Sequence, residues 1–306
     1  MRVSQIIEKY FWVLLIIGIL AGLWNPFPFE TPKYLPKIIL CLMLFFVFLK
    51  IDVLEIIEKL KDYKQMVFIA IVYMIVMPLL FFLVFSFFDR QLALGILLLV
   101  SMPAGVSTPA LTDLLKGNIS FAMSIVIVTQ FIAPFTIPFL FWMVGTKGLD
   151  INELLMFRDI AIMVFLPLIM AQITKRYFPS AVKRNQHRFT SANVILLFIF
   201  VFVAISMQRS VILENPASLI WKTVLLYGVF ILLHAIGYFI RYKDNKENRI
   251  ALSVTAAYMN NGLSIVLATT YFSPDILVLM VLSEIPWNTL LAPFGRVVRM
   301  VKASDI

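Results

Sequence analysis

Long apolar stretches, separated by short polar segments, run through almost the whole chain. A helix of about 20 apolar residues, rising about 1.5 Å per residue, spans the roughly 30 Å hydrocarbon layer of a bilayer. The pattern therefore predicts an all-α integral membrane protein. Ten transmembrane helices are predicted, at residues 10–26, 34–50, 65–88, 91–115, 119–145, 157–175, 190–209, 217–240, 249–272 and 275–298.

The composition supports a membrane protein. Apolar residues make up 61% of the chain and charged residues only 14%, whereas soluble domains carry about 25% charged residues. The net charge of +9 would suit a nucleic-acid partner, but the positive residues lie between apolar stretches and not on one soluble face. We therefore expect membrane lipid as a partner and no nucleic acid.

The positive residues also predict the orientation. With a cytoplasmic N-terminus, 19 of the 26 Lys and Arg residues fall in predicted inside segments and 7 in outside segments. This asymmetry follows the positive-inside rule and predicts a multi-pass protein of the plasma membrane with both termini in the cytoplasm. Residues 10–26 are interpreted as a first span and not as a removable signal peptide. Segment 50–64 is amphipathic and predicts a helix on the inner leaflet.

The ten predicted spans form a single transporter domain with two halves of five. The first half covers residues 1–147 and the second covers residues 148–306. Five spans per half give the halves opposite orientations in the membrane, which is the arrangement of an inverted-repeat transporter.

The fourth span of each half contains a helix-breaking segment. Residues 101–109 read SMPAGVSTP and residues 258–262 read YMNNG. Proline removes a backbone donor and clashes with the preceding turn, and Asn-Asn-Gly favours left-handed backbone over helix. Unwound backbone at membrane depth must be satisfied by protein or must line an aqueous cavity. We therefore expect the two breaks to meet at a central site, where helix N-termini favour an anion.

Three segments resemble the bile acid:sodium symporter family. They are STPALTDLLKGNISFAMSIVIVTQFIAPFTIP at 107–138, NRIALSVTAAYMNNGLSIVLATTYF at 248–272 and SEIPWNTLLAP at 283–293. The resemblance, which extends over nearly the whole chain, implies a panel subdomain and a core subdomain whose elements interleave in sequence. It also implies two broken helices that cross in the core, and an organic anion as substrate, often imported with sodium.

The chain departs from the family's pattern at the sodium ligands. Sodium-coupled members have side-chain oxygens where this chain has Pro109, Ala122 and Val126, and an acidic residue where it has Thr255. Two family glutamines align with Met259 and Tyr73. Hard cations select oxygen ligands, so these replacements weaken the expected sodium sites. The coupling ion therefore stays open between sodium and a proton, and no other cofactor is expected.

Polar residues near the breaks are the candidate site. Glu284 lies inside the tenth span, where a carboxylate is costly unless it is protonated, paired or hydrated. We assign ion coupling to Glu284 and Thr255. The alternative for Glu284 is a carboxylate near the aqueous end of its span, hydrogen-bonded to Ser283 or to a helix end. For the substrate-binding candidates, the alternatives are helix–helix hydrogen bonds for the amides and back-bonding for the hydroxyls. His234, Gln130 and Gln172 are interpreted as packing or hydrogen-bonded residues. The candidate substrate-binding residues are Ser107, Thr108, Thr112, Asn260, Asn261 and Asn288.

These features predict a secondary transporter that moves a small organic anion, such as a bile-acid-like carboxylate, by alternating access. An uncoupled facilitator of the same fold is the first alternative. An integral membrane enzyme is the second, but the chain has only two His residues, in separate regions. The substrate, the direction of transport and the oligomeric state stay open.

Overall fold

The computed structural model describes residues 11–24, 32, 34–50, 63–145, 151–207, 209–214 and 216–300. Within these ranges the regular secondary structure is helical and contains no strand. Most of the predicted inner-leaflet helix, residues 51–62, lies outside the described residues, as do both chain ends.

The helices follow the predicted apolar stretches. The elements are α1 (Phe11–Trp24), α2 (Leu35–Phe48), α3 (Tyr63–Ile71), a π-helical turn (Val72–Val76), α4 (Met77–Ser86), α5 (Arg90–Val100), α6 (Thr108–Leu114), α7 (Ile119–Val144), α8 (Glu153–Tyr177), α9 (Pro179–Met207), α10 (Arg209–Glu214), α11 (Pro216–Phe239), α12 (Lys246–Ala257), α13 (Asn261–Tyr271), α14 (Pro274–Leu282), α15 (Glu284–Thr289) and α16 (Leu291–Met300).

Five helices in the described ranges are long and apolar enough to cross a membrane on their own. The helical segments Pro274–Thr289 and Leu291–Met300, which meet at a 42° bend, make a sixth span if they are counted together. An all-helical fold with several such helices is that of a multi-pass membrane protein. The five are Lys64–Ser86, Ile119–Val144, Glu153–Tyr177, Pro179–Met207 and Ser218–Phe239.

The helices of the sixth and seventh predicted spans extend into the polar segment between those spans. The polar residues between 157–175 and 190–209 do not form a loop, because α8 extends to Tyr177 and α9 already begins at Pro179. Proline suits the first turn of a helix, where its missing N–H leaves no bond unmade. The Lys, Arg and Gln residues that follow have good helix propensity, so the helix continues where the apolar signal stops.

The tenth span is also not one continuous helix. It is interrupted at Ser283 and again at Leu290. The interruptions match two prolines, because Pro286 cannot donate to the carbonyl of Leu282, four residues earlier, and Pro293 cannot donate to that of Thr289. Glu284 therefore lies at the start of the short helix α15.

The helices pack in two groups. Helices α1, α2, α8 and α9 contact one another, and the second group is built around α5, α7, α12 and α14. The groups meet where α7 packs on α8 and where α2 contacts α13. Both broken segments belong to the second group.

A buried carboxylate ties the two groups together. Asp159 of α8 is only 8% exposed, and one of its carboxylate oxygens lies 2.9 Å from the Lys37 ammonium of α2. The other oxygen accepts a hydrogen bond of 2.9 Å from the Tyr271 hydroxyl, at the end of α13. Arg158 adds a longer contact of 3.3 Å. A charge in such a position is strongly destabilising if its partners are removed.

We predict that Asp159→Asn lowers the free energy of unfolding by about 1–2 kcal/mol, because it weakens both the ion pair with Lys37 and the hydrogen bond from the Tyr271 hydroxyl at an aspartate whose side chain is only 12% exposed. The matched control is Asp275→Asn, which breaks the Lys222–Asp275 pair at an aspartate whose side chain is 61% exposed. Exposed pairs contribute about 0–1 kcal/mol. Thermal denaturation of both variants in detergent checks the prediction, and equal midpoints for the two variants would contradict it.

Candidate functional site

The two helix breaks lie against each other. Helix α5 ends at Val100 and α6 begins at Thr108, while α12 ends at Ala257 and α13 begins at Asn261. Between these ends, Ala104 and Met259 form an isolated antiparallel bridge. The amide of Gly105 donates to the carbonyl of Tyr258 at 2.8 Å, and the amide of Asn260 donates to that of Pro103 at 2.8 Å. The prediction that the breaks meet is confirmed.

The second break does not use left-handed backbone, so that part of the prediction is wrong. Asn260 has a φ of −77°, and its side chain accepts a hydrogen bond from the amide of Leu263. Asn260 thus caps the helix that follows instead of bending the chain through a positive φ. Asn261 and Gly262 are already helical, as is Pro109 after the first break.

Side chains from the spans that follow each break bind its unwound backbone. Thr129 of α7 accepts a hydrogen bond from the Ala104 amide at 3.1 Å, and Gln130 donates to the Ala104 carbonyl at 3.3 Å. The Trp287 indole of α15 donates to the Met259 carbonyl at 3.2 Å. Sequence reasoning missed Thr129 and Trp287 and interpreted Gln130 only as a packing or hydrogen-bonded residue. The signal for Thr129 and Gln130 was an adjacent polar pair inside an apolar span.

Amide side chains surround Glu284. The Asn288 amide donates to the Glu284 carboxylate at 3.2 Å, and Asn261 is a second polar neighbour of that carboxylate. Asn261 also donates to the hydroxyl of Ser283 at 3.0 Å. Within the described residues Glu284 forms no ion pair. The structure thus brings together three of the predicted residues, Asn261, Glu284 and Asn288.

Two amide atoms at the second break have no hydrogen-bond partner within the described residues. They are the side-chain nitrogen of Asn260 and the side-chain oxygen of Asn261, and both residues are less than 10% exposed. A buried amide group without a partner costs about 1–3 kcal/mol, so it is a natural place for a ligand to bind. One free donor and one free acceptor are available there.

The predicted hydroxyl residues of the first break use their side chains differently. Thr108 donates to the Gly105 carbonyl at 2.7 Å, which is the local back-bonding considered as the alternative. Thr112 is fully buried, its hydroxyl has no hydrogen-bond partner among the described residues, and its methyl group lies beside Gly117. Ser107 precedes α6 without a side-chain cap. Hydrogen bonds in the described part of the chain do not connect these three to the amides around Glu284.

Thr255 lies one turn before the second break. Its hydroxyl donates to the Ala251 carbonyl at 2.8 Å, within its own helix. The Tyr73 hydroxyl donates to the neighbouring Leu252 carbonyl at 2.7 Å, and Tyr73 is also a polar neighbour of Thr255. Thr255 and Tyr73, which align with an acidic residue and a glutamine of the sodium-coupled members, therefore already have hydrogen-bond partners within the protein.

A cavity of about 560 Å³ lies elsewhere, at the first turns of α5, α11 and α14. Asp89, Lys222 and Asp275 are among its lining residues, and none of the predicted site residues is. Among the described residues, no group of three or more His, Cys, Asp or Glu side chains could hold a metal ion.

A multi-pass helical fold with two paired helix breaks is typical of membrane transporters that use discontinuous helices. The chain belongs to the SBF-like CPA transporter family, whose sequence profile matches residues 9–290. This membership makes the chain a transporter and not an enzyme, and it confirms the resemblance to the bile acid:sodium symporters.

Three curated relatives are similar to the chain. The uncharacterized sodium-dependent transporter YocS of Bacillus subtilis is 24% identical over 281 residues, which are 89% of this chain and 85% of that protein. The "Probable sodium/metabolite cotransporter BASS4, chloroplastic" of Arabidopsis thaliana is 27% identical over 47% of this chain and 34% of its own length. The uncharacterized protein PA2026 of Pseudomonas aeruginosa is 26% identical over 64% of this chain and 62% of that protein.

We predict that Gly105→Ala separates the two breaks. A Cβ atom at Gly105 would lie 2.7 Å from the Tyr258 carbonyl oxygen and 3.1 Å from that of Met259, and both are backbone atoms. Such overpacking costs about 1–3 kcal/mol. Gly228→Ala is the control, because no atom of the described residues, apart from the backbone of its own helix, lies within 4 Å of the added Cβ, and alanine favours a helix over glycine. Thermal denaturation should therefore show a lower midpoint for Gly105→Ala alone, and a wild-type midpoint for this variant would contradict the pairing.

Proposed function

We propose that the chain is a secondary transporter that moves a small organic anion across the plasma membrane by alternating access. In this proposal ten spans form two inverted repeats, residues 1–147 and 148–306, with both termini in the cytoplasm. The group of α1, α2, α8 and α9 is the panel, and the group that contains the breaks is the core. Both subdomains draw helices from both halves of the chain, as an interleaved inverted repeat requires.

The observation that carries the proposal is the paired breaks with free amide groups beside them. A continuous helix offers no backbone polar group to a solute, whereas a helix break at membrane depth can. The side-chain nitrogen of Asn260 has no hydrogen-bond partner in the part of the chain that the structure describes, and it can donate to a carboxylate. Helix α13 begins at Asn261, so its positive dipole end lies at the same place. These features favour an anion over a cation as the solute.

The proposed substrate site is formed by Asn260, Asn261 and Asn288, with Ser107, Thr108 and Thr112 on the side of the first break. The amides are the stronger candidates, because two of their atoms are buried and no described residue is their hydrogen-bond partner. Thr112 is the hydroxyl candidate with a free group, since its oxygen also lacks a partner within the described residues.

We assign ion coupling to Glu284 and propose a proton as the coupling ion. An ionised carboxylate at membrane depth needs a cation, water or several donors, and Glu284 has amide neighbours and no ion pair among the described residues. Taking up a proton removes that cost, so the protonation state can follow the conformational state. Thr255, the second coupling candidate, would act by orienting the backbone beside the break.

Sodium is the second candidate for the coupling ion. The names of YocS and BASS4 describe a sodium-dependent transporter and a sodium cotransporter. Against it, the aligned ligand positions here include Pro109, Ala122 and Val126, which have no side-chain oxygen. The transport experiment therefore has to impose a proton gradient and a sodium gradient separately.

The test begins with a thermal-shift screen of acetate, pyruvate, benzoate and cholate, each with and without sodium, since a bound ligand stabilises the folded state. The carboxylate with the largest effect is then taken up into proteoliposomes under an imposed proton or sodium gradient. We expect proton-driven uptake by the wild-type protein. Glu284→Gln should abolish this uptake and preserve exchange of labelled for unlabelled substrate, because only the coupling step needs the titratable group.

The control variant is Glu247→Gln, which changes an exposed glutamate at the start of α12 and should transport normally. Proton-driven uptake that persists in Glu284→Gln would contradict the assigned coupling role. Uptake driven only by sodium would favour the second candidate. If the substrate equilibrates across the proteoliposome membrane and neither gradient changes its uptake, the protein is an uncoupled facilitator.

A further inference from the structure

The two residues of the antiparallel bridge, Ala104 and Met259, each accept a hydrogen bond from a side chain of another helix. The carbonyl of Ala104 accepts a hydrogen bond from the Gln130 side chain, and the carbonyl of Met259 accepts one from the Trp287 side chain. In each case the donor belongs to the span that follows the broken span. The donor and acceptor are 26 residues apart in the first half and 28 residues apart in the second. The two contacts therefore occupy equivalent places in the two halves.

Packing alone does not explain these polar side chains. Gln130 is 1% exposed, and its side-chain oxygen has no partner within the described residues. A leucine at this position would fill a similar volume without burying an unsatisfied carbonyl group, which costs about 1–3 kcal/mol. The amide contact with the Ala104 carbonyl is the interaction that a leucine could not make.

Trp287 makes two contacts with the second break. Its indole N–H binds the Met259 carbonyl, and its ring meets the ring of Tyr258 edge-on, with the centroids 5.3 Å apart. Phenylalanine would keep the ring contact and lose the hydrogen bond. The position therefore allows the polar contribution to be tested separately from packing.

We propose that Gln130 and Trp287 are matched positioning residues, which hold the two breaks in register and so set the geometry of the substrate site between them. The proposal rests on the proposed function, because the site it positions is the one at the paired breaks. Since the breaks are joined by two backbone hydrogen bonds, loosening one break must also loosen the other. Each residue thus acts on both halves of the site.

Hydrogen exchange tests this coupling without any substrate. We expect Gln130→Leu and Trp287→Phe each to raise exchange at both breaks, residues 101–107 and 258–263, by about three- to tenfold, the effect of losing one hydrogen bond. The controls are Gln172→Leu, at an amide nitrogen without a hydrogen-bond partner in the described residues, and Trp142→Phe, at an exposed indole. Thr129→Val removes the other side-chain contact at Ala104 and serves if Gln130→Leu does not fold.

Substrate binding is then compared among the wild-type protein, the two single variants and the double variant. The ligand is the screened carboxylate that stabilises the wild-type protein most. We expect each single variant to weaken binding about three- to tenfold and the double variant to weaken it less than the product of the two, because both act on one paired unit. Faster exchange confined to the nearer break, or across all helices, would overturn the proposal, as would unchanged binding in both single variants. If none of the screened carboxylates binds the wild-type protein, the proposed substrate class fails, while the hydrogen-exchange experiment still decides this inference.

Discussion

The whole arrangement depends on the need of buried backbone amides and carbonyls for partners. In an apolar interior each unpaired backbone group costs several kcal/mol, so a helix cannot simply stop at membrane depth. This chain satisfies that need by placing two interruptions side by side and joining them through Gly105–Tyr258 and Asn260–Pro103 hydrogen bonds. The amide and carbonyl of Ala104 and the carbonyl of Met259 are bound by side chains from α7 and α15. A polar site can therefore exist inside an apolar fold.

The same constraint separates structural from functional polar groups. Most hydroxyls in the spans donate to a carbonyl one turn earlier, as Thr255 does, and are satisfied without any ligand. The amides of Asn260 and Asn261 are different, because each is buried and has one atom without a hydrogen-bond partner in the described ranges. Glu284 lies next to the Asn261 amide, and it does not line the cavity formed by Asp89 and Asp275.

Much of this could be predicted from the sequence, for physical reasons. Apolar length predicts helices, and Pro-Ala-Gly or Asn-Asn-Gly inside an apolar stretch predicts an interruption, because few local signals compete inside a membrane helix. The predictions failed where the same local sequence signal is compatible with two different structures. Asn260 forms a helix cap instead of a left-handed turn, and Pro286 and Pro293 interrupt the tenth span, whereas Pro134 and Pro138 lie inside the continuous helix α7. The roles of Gln130 and Trp287 depend on contacts between distant segments, which one sequence does not contain.

The central claim, that the two breaks form one paired unit, can be tested most directly by cross-linking. Ala104 and Met259 face each other as a non-hydrogen-bonded antiparallel pair, whose Cα atoms are typically about 4.5 Å apart and thus within disulfide reach. The measurement is disulfide formation in Ala104→Cys/Met259→Cys protein in membranes, with the native Cys41 replaced by serine. The account predicts rapid, near-complete cross-linking of the double variant and none of either single variant. Two thiols that stay free under oxidation would contradict it.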